Sequence, residues 1–202
     1  MNDLQETFRR NAARRYRHLN AAHIPALQES LGIAATVFHA PLALMSFIED
    51  QPHCVGQGTG VGSMQMPIGA DFCTYALHHH EAFVVEDALA DPRFAYMAAV
   101  AGPPMVRFYA GQVLRSPDGY GIGTLCVFDV MPRRPDPLQL KLLRQLASQV
   151  ELILAMELEI QRLTATVEAG YETGKDQAKP QSAEFRQMAH NDLESMQRRS
   201  LN

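Results

Sequence analysis

The sequence lacks the features that would place it in a membrane, in a secretory pathway or on nucleic acid. Its apolar runs are too short for a bilayer span, which needs about 20 consecutive apolar residues. The chain opens with polar and basic residues, without the apolar core of a secretory signal. A formal net charge of −4 gives no general attraction for nucleic acid. We therefore expect a cytoplasmic protein with no membrane span and no nucleic-acid partner.

Cysteine is scarce, and the three present, Cys54, Cys73 and Cys126, form no close pair and no metal-ligand spacing. An odd, sparse count is typical of reduced thiols in the cytoplasm. Three consecutive histidines, His78 to His80, could share one metal ion only beyond the end of a helix. Successive residues on a helix diverge by about 100°. We expect no metal site.

With 202 residues, the chain has room for one domain and its appendages. We expect a basic N-terminal helix over residues 1–20 and a domain over 21–168 that includes a long C-terminal helix. Residues 169–202 should form a flexible tail with a possible short helix. The arginines of the first helix fit a solvated face, or an acidic partner or lipid headgroup.

The strongest strand signal is residues 121–129, an apolar run suited to a buried central strand. Gly121 and Gly123 would share one side of it and leave a bare patch for close approach to the backbone. A turn at 116–119 joins it to a short strand over 107–111, which Gly111 should end. Further strands are predicted at 42–50, weakly at 53–62, and at 83–86. A loop is predicted over 57–70, and helices from Pro25 and over 72–79, the latter capped by Asp71.

The last long helix carries apolar residues at alternating spacings of four and three, which indicates a heptad seam. The seam positions are Leu142, Leu146, Gln149, Ile153, Met156, Ile160, Leu163 and Val167. Residues 137–168 would span roughly 48 Å as a helix, longer than the underlying sheet requires. We expect the distal half to form a homodimer; the alternative is one broad stripe facing the core.

Five segments in order resemble the GAF sensor domain family, as found in bacteria ahead of histidine kinase and cyclic-di-nucleotide modules. They are Phe72-Cys73; Val85-Glu-Asp87 with Asp91-Pro-Arg-Phe94; Arg107-Phe-Tyr-Ala-Gly111; Gly121-Ile-Gly-Thr-Leu-Cys-Val-Phe-Asp129; and Pro132 with the helix after it. The resemblance covers roughly residues 20–165. It implies an α/β (α+β) fold with an antiparallel sheet of five or six strands. Terminal helices would lie on one face, and short helices and loops would cover a ligand pocket on the other.

A pocket of this kind needs apolar walls and a few placed polar groups. The expected ligand-binding residues are Phe47, Phe72, Cys73, Phe94, Arg107, Tyr109, Thr124, Cys126 and Phe128. Arg107 would either neutralise an anionic ligand or pair with Asp87, Asp91 or Asp129.

The resemblance favours a non-enzymatic small-molecule sensor acting in signal transduction, with a separate kinase or cyclase as a possible partner. The ligand and any cofactor stay unassigned, because one fold hosts many functions. The alternative is a thiol-dependent enzyme or redox sensor of the free methionine sulfoxide reductase type. Its attacking thiolate needs a lowered pKa and a resolving thiol in reach, and Cys73 near a helix N-terminus is the best candidate.

Overall fold

The computed structural model describes the backbone of residues 3–19, 23–49, 52–58 and 70–199. Side chains are described in the same ranges except 52–58, 70–71, 170 and 172–199. In chain order the elements are α1 (Asp3–Arg14), α2 (Pro25–Phe38), β1 (Leu42–Ile48), β2 (Pro52–Gly58), α3 (Ala70–Ala76), β3 (Phe83–Val85), α4 (Ala98–Ala101), β4 (Phe108–Arg115), β5 (Gly121–Asp129) and α5 (Pro137–Arg199).

The strands form one antiparallel sheet in the order β2-β1-β5-β4-β3. The predicted central strand is therefore correct: β5 pairs with β1 on one side and β4 on the other, and all its residues after Gly121 are buried. The α+β class with an antiparallel sheet is confirmed.

Gly123 is required by the sheet itself. In the register it lies opposite Phe47, and a Cβ at Gly123 would overlap the carbonyl oxygen of Ser46. The backbone of strand β1 therefore makes the close approach that the sequence predicted at Gly123. No ligand is needed to explain this glycine. The turn before β5 also matches the prediction, since Gly119 has a φ of 85° and donates its N–H to the carbonyl of Ser116.

The terminal helices supply one hydrophobic core. Residues of α1, α2 and the first turns of α5 pack with alternate residues of β1, β4 and β5. The largest members of this core are Tyr16, Leu27, Leu31, Phe38, Met45, Phe47, Phe108, Leu114, Ile122, Leu125, Leu143 and Leu154. A second core lies among α3, β3, the segment 86–106 and the opposite side chains of the sheet. We call α3 with the segment 86–106 the roof.

The arginines of α1 are paired within the chain. Arg9 is 6% exposed and donates to the carbonyls of Ile48 (2.6 Å) and Gly121 (3.2 Å), which joins the helix to the ends of β1 and β5. Its other guanidinium nitrogens donate to both carboxylate oxygens of Glu6, each at 2.9 Å. Two more arginines of this region form ion pairs, Arg15 with Asp118 and Arg17 with Glu49. These pairs favour a structural role for the basic residues over a binding one.

Several boundaries differ from the predictions. Strand β4 continues to Arg115, past Gly111, where the sequence predicted its end. Helix α3 runs from Ala70 to Ala76, so Asp71 lies within the helix and is not its N-cap. The predicted loop over 57–70 falls largely on residues 59–69, outside the described residues.

Helix α5 extends well beyond the predicted end at 168. Asp136 starts it by accepting from the N–H of Gln139 (2.8 Å), while the Gln139 side chain accepts from the N–H of Asp136 (2.9 Å). This is a reciprocal capping box. The helix continues to Arg199. Glu, Lys, Gln and Ala are strong helix formers as well as common linker residues, so composition alone did not separate helix from flexible tail.

The chain divides into two compact units between Leu158 and Glu159. The first contains the sheet and both cores. The second is the continuation of α5, where residues 159–169 are exposed and Arg162 pairs with Glu159 through two hydrogen bonds of 2.7 and 2.9 Å. Among the described residues, no helix has both the length and the apolar character needed to cross a bilayer.

The buried position of Arg9 leads to a stability prediction. Arg9→Met should lower the free energy of unfolding by about 1–3 kcal/mol, because buried carbonyls lose a charged donor. Arg14→Met, at an exposed position of the same helix, should change it by less than about 0.5 kcal/mol. Urea unfolding of both variants measures the difference, and equal effects would contradict the anchoring role of Arg9.

The ion pair between Arg9 and Glu6 is sensitive to acid. The hydrogen bond from Arg9 lowers the pKa of Glu6 from 4.5 to about 2. A carboxylate with a lowered folded-state pKa stabilises the fold above its unfolded pKa, and this stabilisation is lost as the pH falls from 4.5 towards 2. Glu6→Gln should therefore lose less stability than the wild type over that range. Thermal unfolding at a series of pH values tests this, and parallel curves would refute it.

Candidate functional site

The candidate site lies under the roof, where three strands and α3 bring hydroxyl and thiol groups together. Ser46 comes from β1, Tyr109 from β4, Thr124 and Cys126 from β5, and Cys73 from α3. All five residues are 0% exposed. We call them the buried polar cluster.

The contacts within this cluster are continuous. The hydroxyls of Ser46 and Thr124 are 2.8 Å apart, and the Thr124 hydroxyl donates to Cys126 Sγ at 3.8 Å. The sulfurs of Cys73 and Cys126 are 3.8 Å apart, and the Tyr109 hydroxyl donates to Cys73 Sγ at the same distance. Cys126 also donates to the carbonyl oxygen of Leu44 at 3.5 Å. Buried polar groups are tolerated because they satisfy one another.

Strand alternation and register produce this convergence. Thr124 and Cys126 are two residues apart on β5, so both point to the roof side. Ser46 lies opposite Thr124, and Gly111 lies opposite Cys126. A Cβ on Gly111 would collide with the ring and hydroxyl of Tyr109. Glycine at 111 therefore makes room for the tyrosine ring, which explains why it does not end the strand.

Aromatic rings fill the remaining space under the roof. Phe72 stacks on Phe94 with ring centroids 4.5 Å apart and on Tyr109 at 5.3 Å. Phe128 meets Tyr109 edge-on at 5.0 Å. Arg93 lies over the rings of Phe83 and Phe94, at 5.3 and 5.2 Å, while its guanidinium pairs with Asp91. The combination of apolar rings and a few fixed polar groups is typical of a small-molecule site.

The cluster changes the acidity of its own members. Burial raises the pKa of Tyr109 well above its usual value, so the phenol stays protonated and can donate. A hydrogen bond from Cys126 lowers the pKa of Cys73 to about 7, against the opposing effect of burial. Hydrogen bonds from the hydroxyls of Ser46, Thr124 and Tyr109 also lower the pKa of Cys73, by smaller amounts.

The structure brings most of the predicted site residues together under the roof. These are Phe72, Cys73, Phe94, Tyr109, Thr124, Cys126 and Phe128. Phe47 is placed elsewhere: it packs in the helix-side core and stacks on Tyr16 at 5.7 Å. The prediction that Phe47 lines the pocket is therefore wrong, because its side chain lies on the helix side of the sheet. Strand β1 is apolar on both sides, so its sequence did not reveal which side faces the helices.

Arg107 lies at the edge of the roof and pairs within the chain. Its guanidinium donates two hydrogen bonds of 2.6 Å to the carboxylate of Asp87, and these lower the pKa of Asp87. Its carbonyl accepts from the N–H of Ala88 at 2.6 Å. Of the two roles considered for Arg107, the structure shows the ion pair, with Asp87 chosen from the three candidate carboxylates.

Sequence reasoning missed Ser46. The signal was present, because Ser46 is the only polar residue in the seven-residue strand β1. A lone hydroxyl in a buried strand needs a partner, and Thr124 supplies it.

The three consecutive histidines after α3 lie at the surface. His78, His79 and His80 are exposed beyond the end of the helix. Within the part of the chain that the structure describes, no group of three or more His, Cys, Asp or Glu side chains is arranged to hold a metal ion.

Comparison with known proteins identifies the class of protein that this sheet and roof define. The GAF domain family model matches residues 3–154, so the chain belongs to the GAF domain family. Over 108 residues it is 39% identical to a cyclic di-GMP phosphodiesterase of Pseudomonas aeruginosa. That match covers 54% of this chain but 18% of the phosphodiesterase.

Solved structures agree on the fold. The PixJ GAF domain of Thermosynechococcus elongatus, in its blue-light-absorbing form, has a TM-score of 0.55 at 13% identity, over 72% of this chain and 92% of that one. The GAF domain of an Acinetobacter phosphoenolpyruvate-protein phosphotransferase has a TM-score of 0.52 at 16% identity, over 77% and 95%. A free methionine-R-sulfoxide reductase from Neisseria meningitidis, solved with its substrate, has a TM-score of 0.50 at 21% identity, over 68% and 78%.

The contact between Gly111 and Tyr109 can be tested by a double-mutant cycle. Gly111→Ala should lower the free energy of unfolding by about 1–3 kcal/mol, because the added methyl group displaces a packed ring. In a Tyr109→Ala background the same substitution should cost clearly less, since the ring is gone. Chemical denaturation of the four proteins measures the coupling, and additive effects would contradict the packing role of Gly111.

Proposed function

We propose that this protein is a cytoplasmic, non-enzymatic GAF sensor domain that binds a small molecule under the roof and acts in signal transduction. The observation that carries the proposal is the buried polar cluster among aromatic rings, on the face of the sheet opposite the terminal helices. A core built for stability alone gains little from five polar or polarisable groups at full burial, because each must find a partner.

Ligand binding requires the roof to move away from the sheet. The stack of Phe72, Phe94 and Tyr109 occupies the space a ligand would take. Both phenylalanines belong to the roof, whereas Tyr109 belongs to β4. A planar ligand could replace the roof rings against Tyr109 and accept a hydrogen bond from its phenol. Ser46 and Thr124 would then supply hydroxyls that exchange their mutual bond for bonds to the ligand.

The connection from β5 to α5 offers a route for the signal. Asp129, at the end of β5, accepts from Arg133 Nε at 2.5 Å and from the N–H of Met131 at 3.0 Å. Arg133 also donates to the carbonyl of His39 at 2.8 Å. Thr124 and Cys126 are on the same strand as Asp129, so a shift of β5 would be transmitted to the start of α5. A ligand changes the output only by favouring one arrangement over another.

Homodimerisation through α5 is part of the proposal. Its first turns are buried against the sheet at Leu143, Leu146 and Leu154, which are 0%, 7% and 0% exposed. Farther along, the heptad positions Ile160, Leu163 and Val167 are 52%, 51% and 71% exposed. Apolar residues that keep a heptad spacing on an exposed helix are typical of a coiled-coil seam. We propose that a second copy of the chain covers these exposed residues. The same stretch of α5 from each copy would then form one side of a symmetric contact.

The partner and the ligand class stay proposals drawn from relatives. The similarity to a cyclic di-GMP phosphodiesterase supports a partner that makes or degrades cyclic di-nucleotides, such as a cyclase; a separate kinase stays the other predicted partner. The alternative, an enzyme of the methionine sulfoxide reductase type, also stays a prediction. It has the Cys73–Cys126 pair in its favour, but both thiols are fully buried under the roof, where a substrate as large as methionine sulfoxide does not reach them unless the roof opens.

Native mass spectrometry of the purified protein tests ligand binding. We expect a small molecule retained by the wild type. Binding should be at least about tenfold weaker in Ser46→Ala/Thr124→Val, because the ligand loses two hydrogen-bonding groups. Ser30→Ala is the control, since it removes a buried hydroxyl on the helix side of the sheet. A bare wild-type mass, with no thermal stabilisation by any compound of a nucleotide and metabolite panel, would refute the sensor proposal.

The dimer is tested by placing charge on the seam. Leu163→Glu/Val167→Glu should convert the dimer to a monomer at micromolar concentration, because four carboxylates would be forced into one apolar contact. Gln161→Glu/Ala165→Glu adds the same charge at the same spacing but off the seam, and should remain dimeric. Analytical ultracentrifugation distinguishes the two variants. A monomeric wild type, or an unchanged mass for the seam variant, would contradict the proposed contact.

A further inference from the structure

The two buried cysteines form a pair whose geometry has a use beyond ligand binding. Cys73 and Cys126 are 53 residues apart in sequence, yet their sulfurs are 3.8 Å apart and both are reduced. One belongs to the roof helix α3 and the other to the central strand β5. A covalent bond between them would therefore join the roof to the sheet.

We propose that Cys73 and Cys126 are a redox-sensitive pair that a hydroperoxide converts into an intramolecular disulfide, fastening the roof to the sheet. The separation of 3.8 Å has to fall to about 2.05 Å in a disulfide. Thiols in contact reach that distance by side-chain rotation and a small movement of α3. The pair needs no bound ligand for this reaction.

The surroundings favour Cys73 as the sulfur that reacts first. Hydrogen bonds from Cys126 and from the neighbouring hydroxyls stabilise its thiolate. The Tyr109 hydroxyl, 3.8 Å from Cys73 Sγ, keeps its proton because burial raises its pKa, so it remains a donor. A stabilised thiolate is the nucleophilic form of cysteine.

The reaction balances with one hydroperoxide per pair. The Cys73 thiolate attacks a peroxide oxygen, an S–O bond forms, and the O–O bond breaks. The leaving hydroxide or alkoxide takes a proton, giving water or an alcohol. The Cys126 sulfur then attacks the sulfenic sulfur of Cys73, an S–S bond forms, and the hydroxyl leaves as water. The two thiols together lose two electrons and two protons, and the peroxide is reduced.

Close approach also explains why the reaction should stop at the disulfide. A sulfenic acid without a nearby thiol proceeds to irreversible sulfinic acid. Here the second sulfur is already in contact, so the intramolecular step should outrun further oxidation. If the proposed ligand site is correct, the bond would also oppose the roof movement that ligand entry requires, since Phe72 of the aromatic stack is adjacent to Cys73. This last consequence alone rests on the proposed function.

The test uses the full chain with Cys54→Ser, which leaves two thiols. The folded protein is treated with hydrogen peroxide, and intact mass and thiol content are measured after quenching. We expect the mass of two hydrogen atoms to be lost, both thiols to disappear, and both changes to be reversed by dithiothreitol. Digestion under non-reducing conditions should yield a peptide that joins residues 73 and 126. Melting temperature should be higher in the oxidised form, because the bond constrains the unfolded chain.

Two matched variants decide the assignment. Cys54→Ser/Cys126→Ser should gain one or more oxygen atoms at Cys73 and form no internal link. Cys54→Ser/Cys73→Ser should react at least tenfold more slowly if Cys73 reacts first. Survival of both thiols in the folded Cys54→Ser protein, under peroxide that consumes them in denaturant, would overturn the proposal. So would oxygen addition, or disulfides between chains, in place of the internal bond.

These results are independent of ligand binding. The main measurement, on the Cys54→Ser protein, needs no substitution at 73 or 126, so poor folding of a variant at those positions does not hide the outcome. A protein that forms the internal disulfide but retains no small molecule would support the redox pair and count against the sensor site. A protein that retains a small molecule but forms no internal disulfide would support the sensor site and count against the redox pair.

Discussion

The structure depends on one constraint, the complete burial of β5 between two hydrogen-bonded neighbours. From Ile122 to Asp129 every residue of the strand is buried, and the strand pairs along its length with β1 and β4. Such a strand must be covered on both faces, because an uncovered apolar face loses stabilisation in proportion to its exposed area. The terminal helices and the roof are the two covers that this requirement demands.

The two covers differ in chemistry, which is why only one of them is a candidate site. The helix side is aliphatic and aromatic, with close contacts such as Tyr16 on Phe47. It is suited to permanent packing. The roof side mixes rings with the buried polar cluster, and its cover consists of short segments: α3 has seven residues and α4 has four. Short elements can be displaced at lower cost than long helices, since each buries less apolar area.

The ends of β5 are fixed by charge. At its start, Arg9 of α1 donates to the carbonyl of Gly121, and at its end Arg133 pairs with Asp129. The strand carrying Thr124 and Cys126 is thus tied to the N-terminal helix and to the segment that leads into α5. A movement of β5 at the candidate site would therefore act on α1 and on the start of α5 through these contacts. The same contacts limit how far β5 can move, so any signal that passes to α5 depends on small displacements of this strand.

The sequence by itself determined the central strand and the turn at Gly119, because apolar pattern and turn chemistry are local properties. The family, and with it the antiparallel α+β class, was predicted from the resemblance of five short segments. Strand alternation also predicted that Thr124, Cys126 and Phe128 share one side of β5, as the structure shows. Only the tertiary structure decided which face of β1 meets the helices, and with it the exclusion of Phe47 and the inclusion of Ser46. It likewise selected Asp87 for Arg107 and brought Cys73 against Cys126. These facts depend on strand register and on contacts between residues distant in sequence, which no local pattern encodes.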